Sequence, residues 1–445
     1  MTNPAGTAPS TSATSAAKTR NAAGPAGSGE AGRFRYGWIV LAVAAAAVVL
    51  GAGTRAAPGA LLLSMSQDTG YSVGQIAVAG AAGLLLLGTG GPVSAFLIDR
   101  FGIRRVTVFA LILTAAGIGG SALVRELWQL VLLFGFVSGF GAGLVSSSLG
   151  PVVANRWFVK GRGLVVGLFG GASSAGQLIF FPVLTTVAVM ADWRLAAGLM
   201  AALLVLMVLP AALFLAERPS DVGERPRGAT ADTPTEPVRA DRGIMGRAVR
   251  TSEFWLLAGT FWVCGATSNG IVGQHFIAHA VDHGFAPVAA SGALALMGAF
   301  NFLGTLASGW LTDRIDPRRL LLVYYGFRGL SLLYLPFISN ELDIVGFAVV
   351  FGLDYIATVP PTVMLIADRF GRRNVGPVYG WVYFSHMAGA AIAAVAAGWV
   401  HDVAGTYASA YWVAGGLAIT AGLAALAIRK ARPEAPMPVP AAAGA

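Results

Sequence analysis

The chain has 445 residues, 56% of them hydrophobic and only 11% charged, about half the charge of a soluble domain. Water is therefore excluded as its main solvent. The formal charge of +9 raises nucleic acid as a partner, but the positions of the basic residues read as membrane topology and exclude that class.

Residues 1–35 are rich in Ala, Ser, Thr and Gly and lack both an apolar core and a cleavage site, so they read as a disordered tail and not as a secretory signal. Apolar runs of roughly 20 residues follow, among them 38–53, 131–153 and 408–428. Each is long enough to cross a ~30 Å hydrocarbon layer as a helix. Their continuity argues against barrel strands, which alternate polar and apolar residues. The 59 glycines suit membrane helices whose backbones pack closely.

The first helix is expected over residues 36–65, with a short turn at Asp68-Thr69-Gly70. The second ends at Asp99-Arg100-Phe101-Gly102-Ile103-Arg104-Arg105. The third and fourth meet near Arg125-Glu126, and the fourth ends at Asn155-Arg156-Trp157-Phe158. The fifth and sixth flank Asp192-Trp193-Arg194. Residues 217–251 carry Pro, Arg, Asp and Glu without apolar periodicity and read as a polar linker. The expected organisation is thus a tail at 1–35, a six-helix bundle at 36–216, a linker at 217–251, a second six-helix bundle at 252–428 and a tail at 429–445.

Of the 30 Lys and Arg, 26 fall on one side of this layout: in both tails, in the linker and in four short loops with three each. The positive-inside rule makes that side cytoplasmic, with both termini on it. Arg125 and Arg194 lie in the opposite loops, and Arg55 and Arg328 fall within apolar helices. The single cysteine, Cys264, cannot form an intramolecular disulfide and reads as a small buried hydrophobe.

The second half repeats the first. Asp313-Arg314-Ile315-Asp316-Pro317-Arg318-Arg319 carries the same Asp-Arg and Arg-Arg spacing 214 residues on, and Asp368-Arg369-Phe370 echoes Asn155-Arg156-Trp157 at an offset of 213. Repeats related by an axis along the membrane normal are characteristic of transporters, with substrate held near the midplane between them. The duplicated Asp-Arg-x-Gly-x-Arg-Arg loop resembles that of the major facilitator superfamily, although Ala95 stands where the first-half motif usually has Gly. The resemblance implies twelve transmembrane helices in two pseudo-symmetric six-helix bundles, an all-α membrane fold. It also implies that Asp99, Arg100, Arg104, Arg105, Asp313, Arg314, Arg318 and Arg319 form a conformational gate, with Asp99 and Asp313 as anchors. A purely topological role for the arginines fits equally.

Within the superfamily, Gly53-Thr54-Arg55-Ala56-Ala57-Pro58, Asn155-Arg156-Trp157-Phe158 and the Gly-rich stretch at 163–176 resemble the monocarboxylate transporters and oxalate:formate antiporter-like proteins. One departure concerns the eighth helix. Asn301 and Thr305 stand where the animal carriers place an Asp and an Arg, and neither can carry a proton.

Charges inside a bilayer cost at least ~2.5–3.5 kcal/mol and are functional candidates. Arg328 and Asp354, on the ninth and tenth helices, are placed to meet, either as a structural tie or as a coupling pair. Arg55 is then the unpaired charge, and its planar fork suits a carboxylate. The alternative is that Arg55 snorkels to the headgroups. Further substrate-contact candidates are Asn269, Gln274 and His275 on the seventh helix, Tyr355 on the tenth, and Tyr383 and His386 on the eleventh. The weaker Ser146, Ser147, Ser148 and Gln177 join them. His275 and His279 share a helix face, with a hydrogen-bonded structural role as the other reading. They lack an evident third metal ligand beyond Asp282 and His283 at the outer turn. Pro182 and Pro360-Pro361 are expected to bend their helices.

The chain lacks Gly-x4-Gly-Lys-Ser/Thr and any nucleophile and base set, so neither ATP hydrolysis nor another enzymatic activity is expected, and no cofactor. The expectation is a monomeric multi-pass protein of a bacterial cytoplasmic membrane, with the lipid bilayer as its solvent. It moves a small organic anion, a mono- or dicarboxylate, as proton symporter or anion exchanger. Export of amphipathic or cationic compounds through Asp354 is the alternative, and a transporter-like sensor a third reading.

Overall fold

The computed structural model describes residues 36–146, 149–159, 161–228, 241 and 243–429. The expected tail at 1–35, Ser147, Ser148, the linker stretch 229–240 and residues 430–445 lie outside the described residues.

Twelve helices follow in chain order: α1 (Tyr36–Thr69), α2 (Val73–Phe101), α3 (Ile103–Ser121), α4 (Leu127–Trp157), α5 (Arg162–Met190), α6 (Trp193–Phe214), α7 (Ser252–Gly265, Ala266–Val272 and Gly273–Asp282), α8 (Pro287–Thr312), α9 (Pro317–Phe337), α10 (Glu341–Phe370), α11 (Val375–Ala404) and α12 (Ala408–Ala425). Among the described residues, eleven of these are long and apolar enough to cross a membrane; α7 is not in that set. It concentrates Thr267, Ser268, Asn269, Gln274, His275 and His279 in its middle, and its central piece, Ala266–Val272, is a π-helix. π-Segments inside helices recur at functional sites.

Helices are what lipid permits, because they satisfy their own backbone groups. Their starts follow ordinary capping chemistry. Ser72 caps α2 in a reciprocal box with Gln75, Asp192 caps α6, Thr251 caps α7, and Asn340 caps α10 with Asp343. α1 runs four residues past its expected end, to Thr69, and stops at Gly70 with φ 72°. α5 passes through Pro182 without interruption.

α10 is broken, and the cause is legible. Pro360 and Pro361 have no N–H to offer the carbonyls of Ile356 and Ala357. The helix leaves α geometry from Tyr355 to Thr358 and resumes at Val359, which places both prolines in its first turn. The freed acceptors find other donors. Val359 N–H takes Ile356 O at 3.0 Å, and Ser308 Oγ of α8 takes Ala357 O at 2.5 Å. Tyr355 O is met by the Arg328 guanidinium at 3.1 Å.

The linker is less detached than its composition predicts. Glu217 accepts the N–H groups of Ile103 and Arg104 at 2.7 and 3.1 Å, at the positive end of α3. Gly102 sits at φ 89°, where a side chain would be strained and would run into that carboxylate. Further on, Glu224 accepts Tyr36 N–H at 2.9 Å, and Arg227 exchanges backbone bonds with Trp157 and Val159 while covering the Trp38 ring. A short helix, Ile244–Ala248, precedes α7.

The helices before residue 217 and those after 251 meet along α2 with α11 and α5 with α8. An apolar seam of Ala81, Leu84, Leu87 and Ala142 packs against Met387, Ala390, Ala391 and Ala394. At the end remote from the arginine-rich loops, Gly74 and Gly398 bring α2 and α11 into backbone contact, and the Asp402 carboxylate accepts from Ser72 Oγ at 2.6 Å and Gly74 N–H at 2.9 Å. Gly59 of α1 lies against the Gly273 carbonyl of α7 in the same way.

Small residues at such crossings set the spacing of the backbones. A Cβ on Gly265 would collide with the His386 carbonyl, whereas one on Gly259, two turns earlier on α7, would meet nothing within 4 Å. Gly265→Ala is expected to destabilise the detergent-solubilised protein by ~1–3 kcal/mol, and Gly259→Ala to leave it unchanged, as measured by thermal unfolding of the two variants side by side.

Candidate functional site

Two polar assemblies lie between the helices, back to back across α7 and α10. The first is a narrow cavity, with about 10 Å³ open to the centre of a water molecule, lined by Arg55 and Ala56 of α1, Leu84 of α2, Gln177 and Phe181 of α5, Asn269, Gly273 and Gln274 of α7, and Tyr355 of α10. Arg55 is half-buried and donates to Ser173 Oγ of α5 at 2.8 Å. Among the described residues it forms no ion pair. Its guanidinium turns into the helix bundle, so the snorkelling alternative does not hold.

The second assembly is the buried charge pair. Arg328 is fully buried and donates from Nε to Asp354 Oδ2 at 2.6 Å. Its other nitrogens reach Asp354 O at 2.7 Å, Tyr355 O at 3.1 Å, Cys264 Sγ at 2.9 Å and Thr267 Oγ1 at 3.4 Å. The guanidinium thereby closes the break in α10 and fastens it to α7. Asp354 neutralises it, and its Oδ1 is buried without a hydrogen-bond partner. Neither residue lines the Arg55 cavity.

Of the predicted substrate contacts, Arg55, Asn269, Gln274 and Tyr355 come together on one cavity, and Gln177 joins them. His275, Tyr383 and His386 are not among its lining residues. His275 is fully buried between Ala394 O at 2.7 Å and Tyr407 Oη at 3.2 Å, joining α7 to α11 and to the start of α12. His279 faces Leu335 O at 3.1 Å. The hydrogen-bonded reading of both histidines is the one the geometry matches. His386 stands behind Asn269, 3.2 Å from its Nδ2, with the Tyr383 ring stacked on it at 5.8 Å between centroids. Asn301, at the place of the animal carriers' acid, donates to Ser174 Oγ at 2.9 Å and accepts from Thr305, tying α8 to α5.

The arginine-rich loops differ between the halves. Asp99 meets Arg156 at 3.4 Å, and Arg156 also meets Glu217 at 3.4 Å. Arg104 donates to Leu215 O, Arg100 lies over Phe101, and Arg105 is exposed. In the second half Arg369, the counterpart of Arg156, pairs instead with the buried Glu253 at 3.3 Å. Asp313 is exposed and forms no ion pair among the described residues, contrary to its expected anchor role. Arg318 pairs with Asp316 at 2.7 Å, Arg314 lies over Trp310, and Arg319 is exposed. Glu217 and Glu253 were not expected here, since acids beside a basic loop look like ordinary solvated charges in sequence. Ser173 lies in the Gly-rich stretch of α5, where serine reads first as a packing residue.

Twelve helices meeting around a buried polar cavity, with an arginine facing it, define a multi-pass membrane transporter. The family profile of the Major Facilitator Superfamily matches residues 43–364, and the chain belongs to that superfamily. Its relatives include Monocarboxylate transporter 11 of Mus musculus, 26% identical over 92% of this chain and 90% of that protein. Monocarboxylate transporter 13 of Rattus norvegicus is 25% identical over 85% and 86%, and the uncharacterized MFS-type transporter YcxA of Bacillus subtilis is 24% identical over 70% and 75%. Among solved structures, a bacterial homolog of the human lysosomal transporter Spinster, in an inward-facing and unoccupied conformation, superposes with a TM-score of 0.67 at 14% identity, covering 89% of this chain and 96% of that one.

Removing one partner of a buried pair leaves an uncompensated charge, at a cost of ~3–5 kcal/mol. Arg328→Met is therefore expected to lose folded yield and thermal stability. The exchanged pair, Arg328→Asp with Asp354→Arg, is expected not to recover them, because an aspartate at 328 cannot donate to the carbonyls of Asp354 and Tyr355. Size-exclusion profiles and melting temperatures of the three proteins check this.

Proposed function

We propose that the chain is a secondary transporter of a small organic anion, a mono- or dicarboxylate, working by alternating access between two six-helix bundles at 36–216 and 252–428. The observation that carries this reading is Arg55, a guanidinium facing a polar cavity between the halves with no acid beside it among the described residues. Positive charge in a partly desolvated cavity favours an anion, and the guanidinium fork pairs with a carboxylate in two parallel hydrogen bonds. Gln177, Asn269, Gln274 and Tyr355 supply the neutral polar groups that would orient it. The names of the monocarboxylate transporters among its relatives point the same way.

The positive-inside rule orients the arginine-rich loops and both termini toward the cytoplasm, of a bacterial cytoplasmic membrane in this reading. Asp99, Arg156 and Glu217 then form the cytoplasmic gate of the first half. Glu253 and Arg369 take that part in the second. Cation export is disfavoured by the engagement of Asp354, which is buried against Arg328 and absent from the cavity wall.

Counterflow in proteoliposomes tests the anion assignment. Vesicles preloaded with pyruvate, L-lactate, succinate or oxalate are expected to take up the labelled form of at least one of them. Arg55→Gln is expected to lower that rate by about one to two orders of magnitude, corresponding to the loss of a charge-assisted pair worth ~1.5–3 kcal/mol, and Arg55→Lys to recover part of it. Equal rates in the wild type and Arg55→Gln would exclude Arg55 as the anion anchor.

A further inference from the structure

From the cavity wall back into the helix bundle, three side chains form an unbroken hydrogen-bonded line. The Tyr355 hydroxyl, on the cavity, donates to Asn269 Oδ1 at 2.8 Å. Asn269 Nδ2 lies 3.2 Å from His386 Nε2. His386 Nδ1 lies 3.2 Å from the carbonyl oxygen of Phe261.

A carbonyl oxygen only accepts, so Nδ1 carries a hydrogen whatever the charge of the ring. An amide nitrogen only donates, so with Nδ2 turned toward the ring Nε2 must accept, the pairing that an uncharged imidazole allows. Each link in the line fixes the next.

We propose that His386 is a proton-binding site of the transport cycle and that the Asn269 amide reports its charge to the Tyr355 hydroxyl beside the anion. The proposal rests on the anion reading above. A solvent proton that binds Nε2 makes both ring nitrogens donors, and Nε2–H then faces the donor Nδ2. A half-turn of the amide relieves this. Oδ1 moves to Nε2–H, and Nδ2 donates to the Tyr355 oxygen. The hydroxyl hydrogen, no longer held by Asn269, is free to point at the anion.

The two amide orientations occupy the same space, so the change needs no backbone movement. The mixed states are penalised: a turned amide beside a neutral ring sets two acceptors against each other, at Nε2 or at Nδ1, inside a buried site. Protonation thus adds one O–H donor on the cavity and one positive charge behind its wall. By linkage, a bound anion tightens the proton on His386 by the same factor.

The surroundings leave His386 as the group placed for this exchange. The Phe261 ring is tilted against it at 4.7 Å and the Tyr383 ring is stacked with it at 5.8 Å, with Tyr379 tilted against Tyr383 at 6.1 Å. α2 brings Leu84, Leu87 and Gly88 to this part of α11. The Cys264 thiol of α7 is the near titratable neighbour and itself interacts with the His386 ring, while Arg328 at 2.9 Å and Thr358 at 3.2 Å hold it from the other elements. Arg328 is balanced by Asp354. Arg55 faces the same cavity from α1. Histidine is the side chain whose charge ordinarily changes between about pH 5 and about pH 8.

The test uses the full chain in nanodiscs and two probes, pyruvate and oxalate, which stay ionised across that range. Affinity in the wild type is expected to tighten as pH falls, by up to about tenfold per pH unit, the limit for one linked proton. Binding in weakly buffered solution is expected to take up a proton. His386→Gln abolishes both effects if the ring is the proton site. Tyr355→Phe keeps the titrating ring and its charge but severs the hydroxyl's report, so its affinity is weaker and its pH dependence shallower than that of the wild type.

A flat pH profile in the wild type overturns the inference, as does a wild-type slope in Tyr355→Phe. Either result leaves Arg55-dependent counterflow, and the anion reading, standing. Failure of every carboxylate to bind or exchange removes the anion reading and this inference together. Should His386→Gln not fold, the wild-type proton uptake and the Tyr355→Phe profile decide the matter.

Discussion

The guanidinium of Arg328 in the break of α10 is the constraint around which the second half is arranged. Two prolines deprive that helix of donors, and in a bilayer no water stands ready to replace them. An apolar side chain on α9 would leave the Tyr355 carbonyl bare, and an unneutralised arginine would be too costly to bury. Asp354, on the last turn before the break, meets both demands. The same guanidinium bonds fix Tyr355 one residue further on, which is why its hydroxyl faces the cavity and reaches Asn269. The charge pair and the cavity are thus separate in chemistry and joined in position. The pair makes the irregular backbone stable, and the irregular backbone presents the polar wall.

Symmetry is stronger in the loops than in the core. Residues 99–105 and 313–319 match in sequence, yet Arg156 turns to Asp99 and Glu217 while its counterpart Arg369 turns to Glu253. The difference lies in the partner acids. Glu217 comes from the chain leaving α6 and lies in reach of the α3 amides, whereas Glu253 belongs to the first turn of α7 and is buried. The two halves therefore carry the same basic residues in different electrostatic settings, and their basic ends need not open at equal cost.

Much of the layout was legible in the sequence because bilayers leave few choices. Apolar runs gave the helices, the arginines gave the loops, and the two intramembrane charges of α9 and α10 could be paired by counting turns. The rule that polarity in lipid needs a reason singles out Arg55, Asn269, Gln274 and Tyr355, which line one cavity. It singles out His275, Tyr383 and His386 as well, which do not line it, since a polar group facing another helix satisfies the rule as well as one facing a cavity. Helix periodicity does not distinguish the two faces when both are buried in protein. The π-turn of α7 and the docking of residues 217–228 left no sequence signal of their own, because each depends on partners far along the chain.

The contact between Ser72, Gly74 and Asp402 looks like a latch, but the carboxylate is exposed, and water can take its place on the same atoms. Little is gained or lost when it lets go. What holds the two helices together at that end is the pairing of Gly74 with Gly398, where backbone rests on backbone. Closure there is a matter of fit. A change in salt concentration should leave it untouched, while a change in the lateral pressure of the surrounding lipid bears on it directly.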